Sequence, residues 1–281
     1  MPSASDPVYP PDVTRQQIIA LAPVAFAMAE HLEVDPAPFL IGLTLSTNLQ
    51  GSATLIGDAP SMILAGCTDM SFNDFFWMQG RPGLFFAVQA SAAAAATGLL
   101  WFYGKKLRAG GASAAFAHAR RKAVSFEWGT VFLLMGLFIV VGTLSEVGLI
   151  EVIAGAIRAI TGGKLFLTFM AIVWISVLLS GFIDNIPYVT ALVPVVLSLG
   201  KSMGSSPREV SLLLVGLLIG ATVGGNITPI GASANVVAVR MLETRGHHVG
   251  FGRFMRIGVP FTLLAVTAAI LFLWVFLKII P

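Results

Sequence analysis

Apolar residues run through this chain in long stretches, and polar positions gather in short intervals between them. The clearest apolar runs are 82–103, 128–147, 165–183, 210–223 with its continuation to 239, and 254–280. A helix needs roughly 18 to 20 such residues to cross the hydrocarbon of a bilayer, so the pattern predicts several membrane-spanning helices and depends on none of them singly. The segment 149–160 is too short to span. It places Glu151 and Arg158 on one helical face, opposite Ile150, Ile153 and Ile157, and predicts a helix lying flat at the outer interface.

Composition agrees with this reading. Of 281 residues, 56% are hydrophobic and 11% charged, against about a quarter charged in soluble domains, which is too little charge to cover a water-facing surface. The net charge of +3 does not point to nucleic acid, because the basic residues sit between apolar runs. The interval 104–127 holds Lys105, Lys106, Arg108, Arg120, Arg121 and Lys122 against Glu127 alone, and 240–256 holds Arg240, Arg245, Arg253 and Arg256 against Glu243. Basic loops stay on the cytoplasmic side, so both intervals are expected there, in a multi-pass protein of the cell membrane. The cluster at 105–122 also suits anionic lipid headgroups, although an orientation signal is the plainer account. Between these loops, 128–147 leads out, a re-entrant hairpin at about 165–199 enters and leaves from outside, and 210–239 leads back.

Enzyme and cofactor chemistry finds little support. Cys67 is the single cysteine, and no Ser-His-Asp set or HExxH stands out. His247 and His248 read as a solvated loop rather than a metal site. Gly216, Gly220 and Gly224 recur every four residues but lead to no Lys-Ser/Thr, so they suggest close helix packing rather than a phosphate loop. No cofactor is expected beyond a sodium ion or proton as coupling ion.

The chain repeats itself. Ala22-Pro23-Val24 matches Val193-Pro194-Val195 at an offset of 171, which also carries Asp35-Pro36 onto Ser206-Pro207. At an offset of 174, Gly51-Ser52-Ala53-Thr54-Leu55-Ile56-Gly57 falls on Gly225-Asn226-Ile227-Thr228-Pro229-Ile230-Gly231, with four of seven positions identical. Three crossings separate the copies, so they should face opposite ways. Both matching segments are rich in glycine, threonine, asparagine and proline inside apolar runs. Irregular backbone at membrane depth is tolerated where protein buries it or it lines a wet cavity, and the helix ends it exposes attract ions. The domains expected are a polar leader at 1–16, an incomplete first transmembrane repeat at 17–103, a cytoplasmic basic loop at 104–127 and a second transmembrane repeat at 128–281.

The motifs Ser46-Thr47-Asn48-Leu49-Gln50-Gly51-Ser52-Ala53-Thr54-Leu55-Ile56-Gly57-Asp58-Ala59-Pro60, Phe182-Ile183-Asp184-Asn185-Ile186-Pro187 and Gly224-Gly225-Asn226-Ile227-Thr228-Pro229-Ile230-Gly231-Ala232-Ser233-Ala234-Asn235 resemble the ion transporter superfamily. Within it the chain is similar to the arsenite permease, the NhaD-type sodium/proton antiporter, the P protein and the citrate transporter-like carriers. The resemblance implies an all-α integral membrane fold of two inverted repeats, each with a re-entrant hairpin and a broken helix, often paired as a homodimer and working by alternating access. It places Asp184 and Asn185 at the second hairpin tip. It places Asn226, Thr228, Ser233 and Asn235 in the second broken helix, and Thr47, Asn48, Thr54 and Asp58 in the first. Sodium would sit at Asn48, Asn185 and Asn226.

The chain departs from that pattern in its first half. Val13 and Thr14 stand opposite Asp184 and Asn185, the helices preceding the first hairpin are missing, Gln50 replaces a usual glycine and Ser61 a usual asparagine.

Several of these residues also have a plainer reading. Asp184 is either an intramembrane ion or proton group or the cap of the helix that follows, with Pro187 in its first turn. Asp58 has the same pair of readings and leans toward the cap. Asn48 and Asn226 are either ligands or bonds between helices. The function expected is secondary transport of a small ion or anion across the bilayer, and the alternative is a non-transporting remnant or assembly partner.

Overall fold

The computed structural model describes residues 13–68, 70–107, 143 and 146–276. Most of the expected run 128–147 and of the basic interval 104–127 lies outside those residues.

Among the described residues the first half is helical from Val13 onward. Helix α1 spans Val13–His31, so it begins inside the stretch read as a polar leader. Helix α2 follows at Ala37–Gly51 and α3 at Ala59–Thr68. A 3₁₀ turn at Phe72–Phe75 and a short hairpin of β1 (Trp77–Met78) and β2 (Arg81–Pro82) lead into α4 (Leu84–Leu107). In the second half α5 spans Leu149–Thr161, α6 Leu165–Ser180, α7 Asn185–Met203, α8 Pro207–Gly224, α9 Ser233–Glu243 and α10 Phe251–Trp274.

The repeat read in the sequence is a repeat of architecture. Helices α1 and α7 have 19 residues each, with Pro23 and Pro194 at matching places. Helices α2 and α8 have 15 and 18, α3 and α9 have 10 and 11, and α4 and α10 have 24 each. Helices α5 and α6 have no counterpart among the described residues of the first half.

Contacts between the turns show that the halves run opposite ways. At one end, here the basic end, Asp35 before α2 bonds Arg253 at the start of α10 and lies 3.9 Å from His247. The Arg245 guanidinium sits 3.7 Å above the Phe26 ring of α1. At the far end, Arg81 of the short hairpin donates to the carbonyl of Phe276 at 3.0 Å, and Arg208 at the start of α8 donates to Gln79 at 3.4 Å. Chain α2–α3 therefore runs from the basic end to the far end, and α8–α9 runs from the far end to the basic end.

Helices α6 and α7 form the re-entrant hairpin. Helix α6 lies parallel to α8, with Phe169 against Gly216, Val173 and Ser176 against Gly220, and Val177 against Gly224. Both helices start at the far end, where Phe166 and Phe169 pack on Trp274 of α10. Helix α7 returns to that end. A Cβ added to Gly220 would stand 2.6 Å from the Val173 carbonyl oxygen, so the glycine stripe brings two backbones into contact, as small residues do between helices in lipid. Helix α5 meets α6 at a bend of 120°, buries Ile150 and Ala154, and leaves Val152 and Ile160 exposed. Among the described residues three helices (α7, α8 extended to Ile227, and α10) are long and apolar enough to span, and the bent pair α5–α6 makes up to four.

This polarity makes an expected result. In a Cys67→Ser background, Val34→Cys and Ser202→Cys should react with a membrane-impermeant maleimide from opposite faces of sealed vesicles. Labelling of both from one face would contradict the inverted arrangement.

Candidate functional site at the paired helix breaks

Each break has a local cause. Helix α8 tightens into a 3₁₀ turn at Gly225–Ile227 and then becomes extended at Thr228, with φ −122 and ψ 159. Pro229 follows, and a residue before proline is steered away from the helical region. Ala232 is also extended, with φ −146 and ψ 147, before α9 begins. In the first half, the Asp58 carboxylate accepts from the Ser61 backbone at 2.8 Å and starts α3, with Pro60 in its first turn.

The two loops share one internal geometry. The Gly57 amide donates to the Thr54 carbonyl at 3.1 Å, and the Gly231 amide to the Thr228 carbonyl at 3.4 Å. A Cβ on Gly57 would lie 2.1 Å from the Gly51 carbonyl oxygen, and one on Gly231 would lie 2.5 Å from that of Gly225. Real side chains do not fit there, so glycine at both positions is a steric requirement of the loop.

A break exposes polar backbone at membrane depth, and buried backbone groups need partners. Asn235 supplies them, within a cluster of three asparagines. Asn235 of α9 donates from Nδ2 to the carbonyls of Gly225 and Thr228, both at 2.9 Å, and so closes its own loop. Asn48 of α2 donates from Nδ2 to Oδ1 of Asn226 at 2.8 Å and of Asn235 at 2.9 Å. Asn226 donates back to the Leu45 carbonyl at 3.1 Å, and the Thr44 hydroxyl donates to Asn235 Oδ1 at 3.0 Å. Asn226, Asn235 and Thr44 are fully buried, and Asn48 is 4% exposed. This cluster ties the second break to the last turns of α2, just ahead of the first break.

The hairpin tip joins the same region. The Thr228 hydroxyl donates to the Gly181 carbonyl, and the Ser180 hydroxyl reaches both the Ala221 carbonyl and Asn185 Oδ1. Asn185 Oδ1 stands 3.2 Å from where a Cβ on Gly225 would be. Neutral amides, hydroxyls and carbonyls therefore converge from α2, the hairpin tip and the α8–α9 break. Such oxygens suit a weakly hydrated cation, and the free amides of the helix ends suit an anion.

The expected site residues are thus distributed unevenly. Asn48, Asn226 and Asn235 meet directly, and Thr228 and Asn185 adjoin them through the hairpin tip. Thr47 instead bonds the Leu43 carbonyl of its own helix at 2.8 Å. Asp58 is buried and caps α3. Asp184 is exposed, and its carboxylate accepts from the Ile186 amide at 3.0 Å, which is the capping role that the sequence offered as the alternative. Ser233 opens α9, half-buried. Thr54 lies in the first loop, half-buried, and makes no side-chain hydrogen bond among the described residues.

Thr44 and Ser180 are the residues that sequence reasoning missed. Thr44 lies one turn before Asn48 on the same helical face, a spacing that marks it in retrospect. Ser61 is fully buried, and its hydroxyl is the one buried side-chain polar atom among the described residues without a partner. The 174 offset puts it opposite Asn235, so the first loop lacks the amide that closes the second.

Broken helices in inverted copies, with a re-entrant hairpin tip beside one break, define an all-α multi-pass membrane protein built from inverted repeats. The CitMHS citrate transporter family matches residues 11–211 and 125–281, and the chain belongs to that family. It is 30% identical to an uncharacterized transporter of Mycobacterium tuberculosis, across 92% of this chain and 71% of that one. It is also 30% identical to the 46 kDa membrane protein of Mycobacterium leprae, across 92% of this chain and 72% of that one. The P protein of Homo sapiens is 35% identical over 53% of this chain and 18% of its own length. These relationships bear out the resemblance read from the three motifs, and they make this a membrane transport protein.

Proposed function

We propose that the protein is a secondary carrier of a small ion or anion, with cargo and a coupling sodium ion or proton bound where the two breaks and the hairpin tip converge, and with alternating access as its mechanism. The observation that supports this most is the bonding of Asn48 to Asn226 and Asn235 across the repeat interface. Opposed broken helices are the usual place for an ion pathway, because their ends present both free amides and free carbonyls at the midplane. Asn48, Asn185 and Asn226 are the side chains proposed to hold sodium. The name of the matching family makes citrate the first cargo to try.

The test is tracer uptake in proteoliposomes with imposed sodium or proton gradients, using citrate as probe. Asn226→Ala is expected to lower uptake about tenfold or more, since it removes both an oxygen ligand and the tie to Leu45. Asp184→Asn keeps the capping oxygen, so a loss there would report a charge-dependent role. Unchanged uptake in both variants would remove this site.

A second reading, a non-transporting assembly partner, is favoured by the first break, where the buried Ser61 hydroxyl has no partner among the described residues and stands in place of the amide that closes the second break. Uptake by the unmodified chain above that of empty vesicles would rule it out.

A further inference from the structure

We propose that the segment 71–83, the 3₁₀ turn and short hairpin between α3 and α4, is a lipid anchor whose outward rings, Phe72 and Trp77, are seated in the phospholipid headgroup layer of the far-end leaflet. The segment sorts its side chains in a way that a loop in water does not require. Phe75, Met78 and Arg81 are buried, whereas Phe72 is 46% and Trp77 56% exposed. The two outward rings are the ends of one aromatic chain. Phe72 meets Phe76, Phe76 meets Phe85, Phe85 meets Phe86 and Phe86 meets Trp77, with ring centroids between 4.8 Å and 5.5 Å apart.

The depth of the segment is fixed from inside. The hairpin register pairs Trp77 with Pro82 and Met78 with Arg81. The buried Arg81 donates at 3.0 Å to the carbonyl of Phe276, just past the end of α10. A spanning helix ends where hydrocarbon gives way to headgroups, and Phe166 and Trp274 pack together at that same end. Aromatic side chains with one apolar and one wet side concentrate at this level. The polar backbone of the segment is also paired internally. The Asp74 carboxylate accepts from the Ser71 amide and hydroxyl, both at 2.7 Å, and the Gly83 amide donates to the Phe76 carbonyl at 2.7 Å. A segment with its polar groups already bonded loses less on leaving water.

The duplicate turn supplies the contrast. Between α9 and α10, residues 244–250 make a shorter connection with no strand pairing, and its exposed side chains are Thr244, Arg245 and His248 rather than rings. The repeat unit therefore closes without a hairpin and without outward aromatics, which leaves those features of the far end to be explained by what surrounds them. A second copy of the chain is a poorer occupant than lipid. Two half-exposed rings offer about 200 Å², against about 800 Å² per partner in a stable protein interface.

Trp77→Phe keeps a ring against Phe86, and the emission lost with it isolates Trp77 among the five tryptophans. In proteoliposomes, with iodide on both sides, that difference emission should be quenched about twofold or more by phosphatidylcholine brominated near the headgroup, less by lipid brominated near the chain ends, and little by iodide. Bimane at Phe72→Cys in a Cys67→Ser background should behave alike. Bimane at His248→Cys in the same background should be quenched by iodide and not by lipid. Iodide quenching of Trp77 and of position 72 as strong as at 248 would overturn the proposal in favour of water. Protection from both quenchers would overturn it in favour of a protein partner, and stronger quenching from the chain ends would place the rings in the hydrocarbon and overturn it as well. The inference rests on the packing at the far end and not on transport, so a chain that moves no citrate leaves it standing.

Discussion

Replacing Asn235 should unfold the junction of the two halves more than any other single side-chain change here. Its amide is used completely: Nδ2 donates to two backbone carbonyls of the break, and Oδ1 accepts from Asn48 and Thr44. Asn235→Ala removes all four bonds and strands the buried carbonyls of Gly225 and Thr228. A hydrogen bond between helices in lipid contributes only about 0.6 kcal/mol on average, but an unsatisfied buried polar group costs about 1–3 kcal/mol. The expected loss is therefore about 2–4 kcal/mol, read as a lower unfolding midpoint in mixed micelles.

Asn235→Asp separates shape from donor capacity. The carboxylate keeps its acceptor role toward Asn48 and Thr44, yet it turns an acceptor toward the two carbonyls where a donor is needed. It should be at least as damaging as alanine at neutral pH. A double-mutant cycle with Asn48→Ala should show coupling, because the two residues share a bond. Additive effects, or an aspartate variant as stable as the original, would mean that the cluster does not hold the halves together.

Gly57→Ala and Gly231→Ala are expected to be comparably severe, for a steric reason. Each new Cβ meets a backbone oxygen, 2.1 Å away in the first loop and 2.5 Å in the second. A flexible side chain would yield, but a carbonyl inside a loop cannot move without opening the break. Overpacking typically costs about 1–3 kcal/mol, and contact with backbone belongs at or above the top of that range. Gly66→Ala, whose Cβ would meet nothing within 4 Å, is the matched control and should be neutral or slightly stabilising, since alanine favours a helix. The check is thermal unfolding of all three variants. Equal midpoints for Gly57→Ala and Gly66→Ala would contradict the close approach on which both loops depend.

How much of this was legible in the sequence varies with the range of the forces involved. Apolar run length depends on composition and on the thickness of a bilayer, so the runs that form α8 and α10 could be read directly, as could the paired helices α6 and α7 and the short α5. The breaks were legible for a similar reason: glycine, and the proline after Thr228, act on their own backbone neighbours. Matching those breaks at a fixed offset revealed the duplication, and the odd number of crossings gave its inversion. The start of α1 was misplaced, because its first turn lies next to a proline-rich polar stretch and carries no strong pattern of its own.

The tertiary structure decided which polar groups meet. Asn48 finds Asn226 across 178 residues and Asn235 across 187, while Thr44 finds Asn235 across 191. No periodicity encodes such pairings, since each depends on where two independently formed helices come to rest. The same packing left Asp184 and Asp58 as helix caps and left the Ser61 hydroxyl without a partner. Local chemistry could assign those residues to breaks and helix starts, but only the assembled helices show that the second break is closed by protein while the first lacks the amide that would close it.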